Sequence, residues 1–322
     1  MIPSLKASLR TGAKQAFVRI HEAGSRVGLF VLPKHYYVPL PDLRELRRTR
    51  SRWAHRSAMP GVGVHVDRQL SRLREIVLPF LPEYRANTAF HEGVAGAFGP
   101  GFGPIEAQTL HGFIRGTKPA RVVEVGSGIS TYCMLEAAKL NSAEGAPVQI
   151  TCVEPYPSAW LRSAPVHLVA ERVEQVSMEV FEALEAGDLL FIDSTHAIRV
   201  GGDVMQIILE ILPRLKPGVF VHFHDIYFPF DYQRDADRSI FQWMETAMLH
   251  AYLVGNTGMD IVFCLSQLHY DRPDGLRQVF PDYDPEPGND GLRPVTETGT
   301  RDFPSSIYLQ TTMASGRNGP IS

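Results

Sequence analysis

From Pro119 onward, short apolar runs alternate with longer stretches whose apolar residues recur at helical spacing. Runs of strand length bounded by Gly, Pro and Asp predict strands at 121–125, 148–153, 166–170, 188–192 and 218–223. Between the last two, Val204, Ile207, Ile208, Ile211, Leu212 and Leu215 paint one apolar stripe on a helix facing a sheet. A further helix over about 239–254, a strand at 260–264, a Pro/Gly/Asp-rich excursion over 271–300 and a last strand-like piece at 305–310 follow. The residues after Met313 read as a disordered tail. Strand and helix in alternation signal βαβ units and a parallel sheet, hence an α/β fold.

Upstream the pattern is different. Residues 1–84 are rich in Arg and punctuated by Pro33, Pro39, Pro41, Pro60 and Gly61, and Leu70, Leu73, Ile76 and Val77 predict a helix docking on the main domain. The expected organisation is an N-terminal helical or irregular cap over 1–84, an α/β domain over 85–313 and a tail over 314–322. At 322 residues and 44% apolar content, one large domain with an appendage and a sizeable core is expected.

Charge narrows the partners. The basic run Arg44, Arg47, Arg48, Arg50, Arg52 and Arg56, interrupted by Trp53, suggests a nucleic-acid patch. In a chain of net charge −3 a solvated helix face is expected instead, with no nucleic-acid partner. Lys6, Arg10, Lys14 and Arg19 make a cationic N-terminus that could touch a membrane surface, but no apolar stretch approaches the roughly 20 residues needed to span one. Stable membrane anchoring is therefore not expected, and without a cleavable signal pattern the cytoplasm is the expected location. Cys133, Cys152 and Cys264 are far apart, lack metal-ligand spacing and read as reduced core thiols. Oligomeric state stays open, a homo-oligomer included.

The sharpest local signal is Glu124-Val-Gly126-Ser127-Gly128-Ile-Ser130-Thr131, where an apolar strand runs through two glycines into a helix. Gly126 allows a tight turn, and Gly128 lets backbone approach a ligand. The helix N-terminus behind them offers free N–H groups to an anion. Thr131 occupies the third glycine position of a dinucleotide fingerprint, so that rule fails here. Glu124, two residues before the first glycine, suits a cationic amino-acid ligand better than a pyrophosphate. Glu154, at the tip of the next strand, could accept hydrogen bonds from the two hydroxyls of a ribose.

These residues resemble the class I S-adenosylmethionine-dependent methyltransferases, most closely the small-molecule branch with macrolide-sugar O-methyltransferases and cephalosporin-type enzymes. The resemblance covers roughly residues 85–310. It implies a Rossmann-like, doubly wound, seven-stranded sheet, mostly parallel with the last strand antiparallel. It further implies that Glu124 and the Gly126–Gly128 backbone hold the methionine part of S-adenosyl-L-methionine and that Glu154 holds its ribose. Ser127, Ser130 and Thr131 complete the quoted motif, while Pro155, Tyr156 and the segment near 173–176 would contact the adenine.

Beyond that motif, one strand ends in Asp193-Ser-Thr-His196 and another in His224-Asp225. In open α/β sheets ligands bind outside the carboxyl ends of the strands, so if these two are neighbours Asp193, His224 and Asp225 converge. Two carboxylates and an imidazole suggest a divalent-cation site (Mg, Mn or similar), and similar methyltransferases place a metal there. His224 stands where a carboxylate is expected, and imidazole suits softer metals than magnesium. The alternative is that the two acids cap the turns that follow. His196, with Asp193 beside it, is the candidate catalytic base for a hydroxyl of a small-molecule acceptor. The aromatic stretch 225–232 could wall the acceptor pocket or simply be buried, and Tyr36 and Tyr37 could complete the pocket from the other side. An NAD-dependent oxidoreductase and a non-catalytic cofactor-binding protein of the same fold are the competing classes.

Overall fold

Seven strands form one sheet in the order β3-β2-β1-β4-β5-β7-β6 in the computed structural model. The structure describes residues 5–99, 101–233, 235–284 and 303–313. The strands are β1 (Arg121–Val125), β2 (Gln149–Val153), β3 (His167–Val169), β4 (Leu189–Ile192), β5 (Phe220–Phe223), β6 (Met259–Cys264) and β7 (Ile307–Thr311). β7 runs antiparallel to both β5 and β6, and the remaining pairs are parallel. β4 and β5 are buried along their whole length, as expected of central strands covered on both faces.

Two apolar layers sandwich the sheet. One gathers Leu110, Phe113, Met134, Phe191 and Tyr308 with the helices Pro104–Thr117 and Ile129–Ala143. The other gathers Val123, Ile192, Val221, Ile208 and Leu249 with the helical segment after Asp203 and the helix Glu245–Leu253. The stripe predicted from Val204 to Leu215 is buried throughout. Its helix widens into a π segment over Ile207–Ile211 and ends in a 3₁₀ turn at Leu212–Arg214. Pro213 has no N–H for the regular ladder, which accounts for an irregular finish.

Two sequence expectations shift. The helix expected over 239–254 begins only at Glu245, because the N–H groups of Met244 and Glu245 donate to the His196 carbonyl and Gln242 bonds back to Ala236 and Ser239. The excursion expected from Asp271 opens with a helix, Pro273–Val279. Proline at its first position starts the helix there, and Leu276 and Val279 are buried. The rest of that excursion beyond Asp284, and the tail expected over 314–322, lie outside the described residues.

Contacts divide the chain into Met1–Thr49 and Arg50–Ser322. Residues 50–84, grouped by composition with the N-terminal part, belong to the sheet unit: the helix Val66–Ile76 packs on β6, and its Gln69 side chain binds Gln267 and accepts from the Cys264 N–H. The first unit has a helix Leu5–Ser25, closed by the N–H groups of Val27 and Leu29 donating to the Gly24 carbonyl. Its second helix, Leu43–Arg48, is capped by Asp42, which accepts from the Arg44 N–H at 2.9 Å.

Candidate active site

Strand register builds the site. Val125 stands level with Val153 and Ile192, and Ile192 with Phe223. The ladder continues one step further: Gly126 donates to the Val153 carbonyl, Asp193 to Val125 and His224 to Ile192. Gly126, Glu154, Asp193 and His224 therefore arrive at one edge of the sheet.

A cleft of about 420 Å³ opens there, lined among others by Gly126, Glu154, Pro155, Tyr156, Val173 and Asp193. Gly126 has φ +81°, and a Cβ on it would collide with the Asp193 carbonyl oxygen. Glycine is thus required by both the turn and the approach of β4. Glu154 accepts from the Tyr156 N–H at 2.7 Å and from the Ser127 N–H at 3.3 Å. The Ser127 hydroxyl is buried without a hydrogen-bond partner. Arg172 donates to the Tyr156 hydroxyl at the mouth.

The motif divides in two. Gly126 and Glu154 line the cleft with Pro155 and Tyr156, and Ser127 is tied to them through its N–H bond to Glu154. Glu124, Ser130 and Thr131 do not: they are buried on one another, the two hydroxyls donating to the Glu124 carboxylate at 2.7 and 2.6 Å and the Cys152 thiol at 3.2 Å. Thr131 also accepts from the Gly128 N–H. Burial, against these bonds, pushes the Glu124 carboxyl up to about 7. Glu124, expected to meet the cationic end of a ligand, does not line the cleft and braces the glycine turn from behind. At Gly128 the space a Cβ would take is bordered by the chain's own Phe98–Gly99 backbone.

The second group lies at the ends of β4 and β5. His196 and Asp225 both adopt positive φ, 58° and 53°, a strained backbone for residues with a Cβ. His196 Nδ1 lies 2.8 Å from Glu245 Oε2. His196 Nε2 is 3.4 Å from Asp193 Oδ1 and 3.7 Å from Asp225 Oδ2. His224 Nδ1 stands 3.4 Å and 3.7 Å from those two oxygens, and His224 Nε2 is 3.9 Å from Glu106 Oε1. Asp225 Oδ1 accepts from Ser305 Oγ at 2.7 Å and from the Tyr227 hydroxyl at 3.2 Å.

Burial would lower both imidazoles. The charges of Asp225 and Asp193 outweigh it and raise His224 to about 9, and Asp193 and Glu245 raise His196. Burial would conversely raise Asp193, but the charge of His224 and the neighbouring His196 hold it well below the usual carboxylate range. His222, one strand step behind, stacks on Phe191 at 4.1 Å and stays neutral because burial lowers it.

Asp193, His196, His224 and Asp225 are therefore brought together as the sequence expected. Glu106, Glu245, Ser305 and Trp243, whose ring is 4.8 Å from His196, complete the surroundings and were missed. Only Glu106 left a signal, an acid on the face that carries Ile105 and Leu110. The aromatic stretch resolves as core: Ile226, Tyr227, Phe228 and Phe230 are buried. Tyr36 and Tyr37 are exposed and belong to the other unit.

Residues 123–226 match the family described as Methyltransferase domain. An uncharacterized protein of Archaeoglobus fulgidus is 28% identical over 177 residues, 49% of this chain and 76% of that protein. A structure from Thermobifida fusca, provisionally assigned as a methyltransferase, aligns at TM-score 0.37 and 12% identity, over 80% of this chain and 97% of its own. One from Plasmodium falciparum, provisionally assigned as protein-L-isoaspartate O-methyltransferase and solved with S-adenosyl-L-homocysteine, aligns at TM-score 0.28 and 14% identity, over 56% and 81%. At such scores the fold rests on the topology itself. A mixed seven-stranded sheet with one antiparallel strand between β5 and β6, flanked by helices, is the Rossmann-like methyltransferase fold.

Proposed function

We propose that the protein transfers a methyl group from S-adenosyl-L-methionine to a hydroxyl of a small polar acceptor. The observation carrying this reading is a coincidence: every residue lining the cleft falls within the segment that matches the methyltransferase domain. A cleft of about 420 Å³ lies within the range of small-molecule sites. The glycine turn and an acid at the tip of β2 supply what a nucleoside with an amino-acid tail requires. In this reading Glu154 releases its two backbone N–H groups in part to take the ribose hydroxyls, Ser127 and Gly126 meet the methionine end, and Val173 packs against the base.

The acceptor would lie beside the cofactor, at the ends of β4 and β5. Asp193, His224 and Asp225 offer two carboxylates and an imidazole for a divalent cation, which when bound would supply Lewis-acid orientation of an acceptor oxygen. Holding that oxygen in line with the methyl group contributes more than any base: alignment is worth up to roughly 7–11 kcal/mol.

Calorimetry with S-adenosyl-L-homocysteine tests the cofactor half. Binding is expected for the full chain and a loss of about 10- to 100-fold in Glu154→Ala, the worth of two ribose hydrogen bonds. No heat with that nucleoside, or heat with NAD instead, would defeat the reading.

A further inference from the structure

The four side chains around the ends of β4 and β5 keep a separation that hydrogen bonding does not explain. Two imidazole nitrogens, His196 Nε2 and His224 Nδ1, face the same two carboxylate oxygens, each at 3.4 Å from Asp193 Oδ1 and 3.7 Å from Asp225 Oδ2. A charged N–H and a carboxylate left to themselves close to about 2.7–2.9 Å. His196 does so with its other nitrogen, at 2.8 Å from Glu245. His224 is 2% exposed, yet its Nδ1 makes no hydrogen bond. One donor atom each from Asp193, His196 and His224 lies within 4.8 Å of the others. Donors bound to one ion at about 2.0–2.2 Å sit about 3.0–3.6 Å from each other, close to the separations found here.

The surroundings fit the same purpose. A ligating imidazole is characteristically held by a carboxylate on its far nitrogen, as Glu245 holds His196. Ser305 and Tyr227 donate to Asp225 Oδ1, which leaves Oδ2 turned to the imidazoles. The positive φ values of His196 and Asp225 are maintained by this packing. Magnesium favours an all-oxygen octahedron, whereas imidazole favours zinc, cobalt and iron.

We propose that Asp193, His196, His224 and Asp225 together hold one borderline first-row divalent cation of the zinc, cobalt or ferrous class in preference to magnesium, with His196 a ligand and Glu245 its positioning residue. This extends the acceptor half of the function proposed above and is independent of the cofactor half. Asp193 joins the two, since its carbonyl abuts Gly126 in the cofactor turn while its carboxylate faces the imidazoles.

The full chain, stripped with a chelator, is dialysed against zinc with a large excess of magnesium, and bound metal is measured directly. One zinc per chain is expected, and cobalt in its place should give visible absorption bands that shift in His196→Ala. Glu245→Gln should weaken zinc by about 10- to 100-fold. His224→Asp should gain magnesium affinity and lose zinc. Failure of the unmodified chain to retain zinc, or its displacement by magnesium, overturns the proposal without recourse to any variant. Zinc retained equally by His196→Ala overturns the ligand role of His196. Calorimetry with S-adenosyl-L-homocysteine on the same samples separates the two readings. Nucleoside binding without zinc sinks only this one, and zinc without nucleoside binding sinks only the methyl-transfer reading.

Discussion

Glu124 shows what a residue's neighbours in sequence can and cannot reveal. Its place before a glycine turn was legible, but its direction was not. Its partners Ser130 and Thr131 come back to it only because the chain reverses through Gly126 and Gly128, and Cys152 arrives from the adjacent strand. A wholly buried carboxyl raised from 4.5 to about 7 binds its proton more tightly folded than unfolded. Its contribution to stability is then fully present below the unfolded value and is lost as pH rises through about 7. Glu124→Gln, which cannot ionise, should remove that dependence. Urea midpoints at pH 5 and pH 8 should show the unmodified protein losing about 2–4 kcal/mol relative to the variant. A difference that does not change with pH would mean that Glu124 titrates as an exposed acid does.

At the scale of elements, the strands and the Val204–Leu215 stripe were readable because period and burial agree, and the adjacency of β4 and β5, left as a condition by the sequence, is met. The site residues those strands carry were legible for the same reason: Asp193 and His224-Asp225 follow directly on strand ends, and His196 comes three residues after Asp193. Glu106 and Glu245 were not, because they reach the cluster from helices far away in the chain, and Glu245 reads in isolation as an ordinary first-turn acid. Ser305, just before β7 and inside the strand-like piece expected at 305–310, was missed as a partner of the cluster for a similar reason. Ser305 donates its N–H to Glu106 Oε1 at 2.7 Å and its hydroxyl to Asp225 Oδ1 at 2.7 Å, tying the helix Pro104–Thr117 to the end of β5. Ser305→Ala keeps the first bond and deletes the second, leaving a buried carboxylate one donor short. A loss of about 1–3 kcal/mol in equilibrium unfolding is expected. An unchanged midpoint would show that the Tyr227 hydroxyl alone satisfies Asp225.

For the molecule as a whole, composition averaged over two unlike parts. Residues 1–49 carry many more Arg and Lys than Asp and Glu, and the remainder carries the opposite excess, so a net charge of −3 describes neither. That shift in character suggested a boundary near residue 84. Arginine content, however, does not report packing: Arg50 pairs with Asp237 at 2.7 Å and Arg56 with Asp271, both within the sheet unit. Every side chain of the cleft and of the imidazole–carboxylate cluster also comes from Arg50–Ser322. A chain beginning at Arg50 is therefore expected to unfold in one cooperative transition. It should bind S-adenosyl-L-homocysteine and zinc with affinities within about twofold of the full chain, since the site keeps all its own contacts. Calorimetry on the two lengths side by side decides this. A drop in either affinity would assign residues 1–49 a part in the site, and a failure to fold would place the boundary of the folding unit upstream of Arg50.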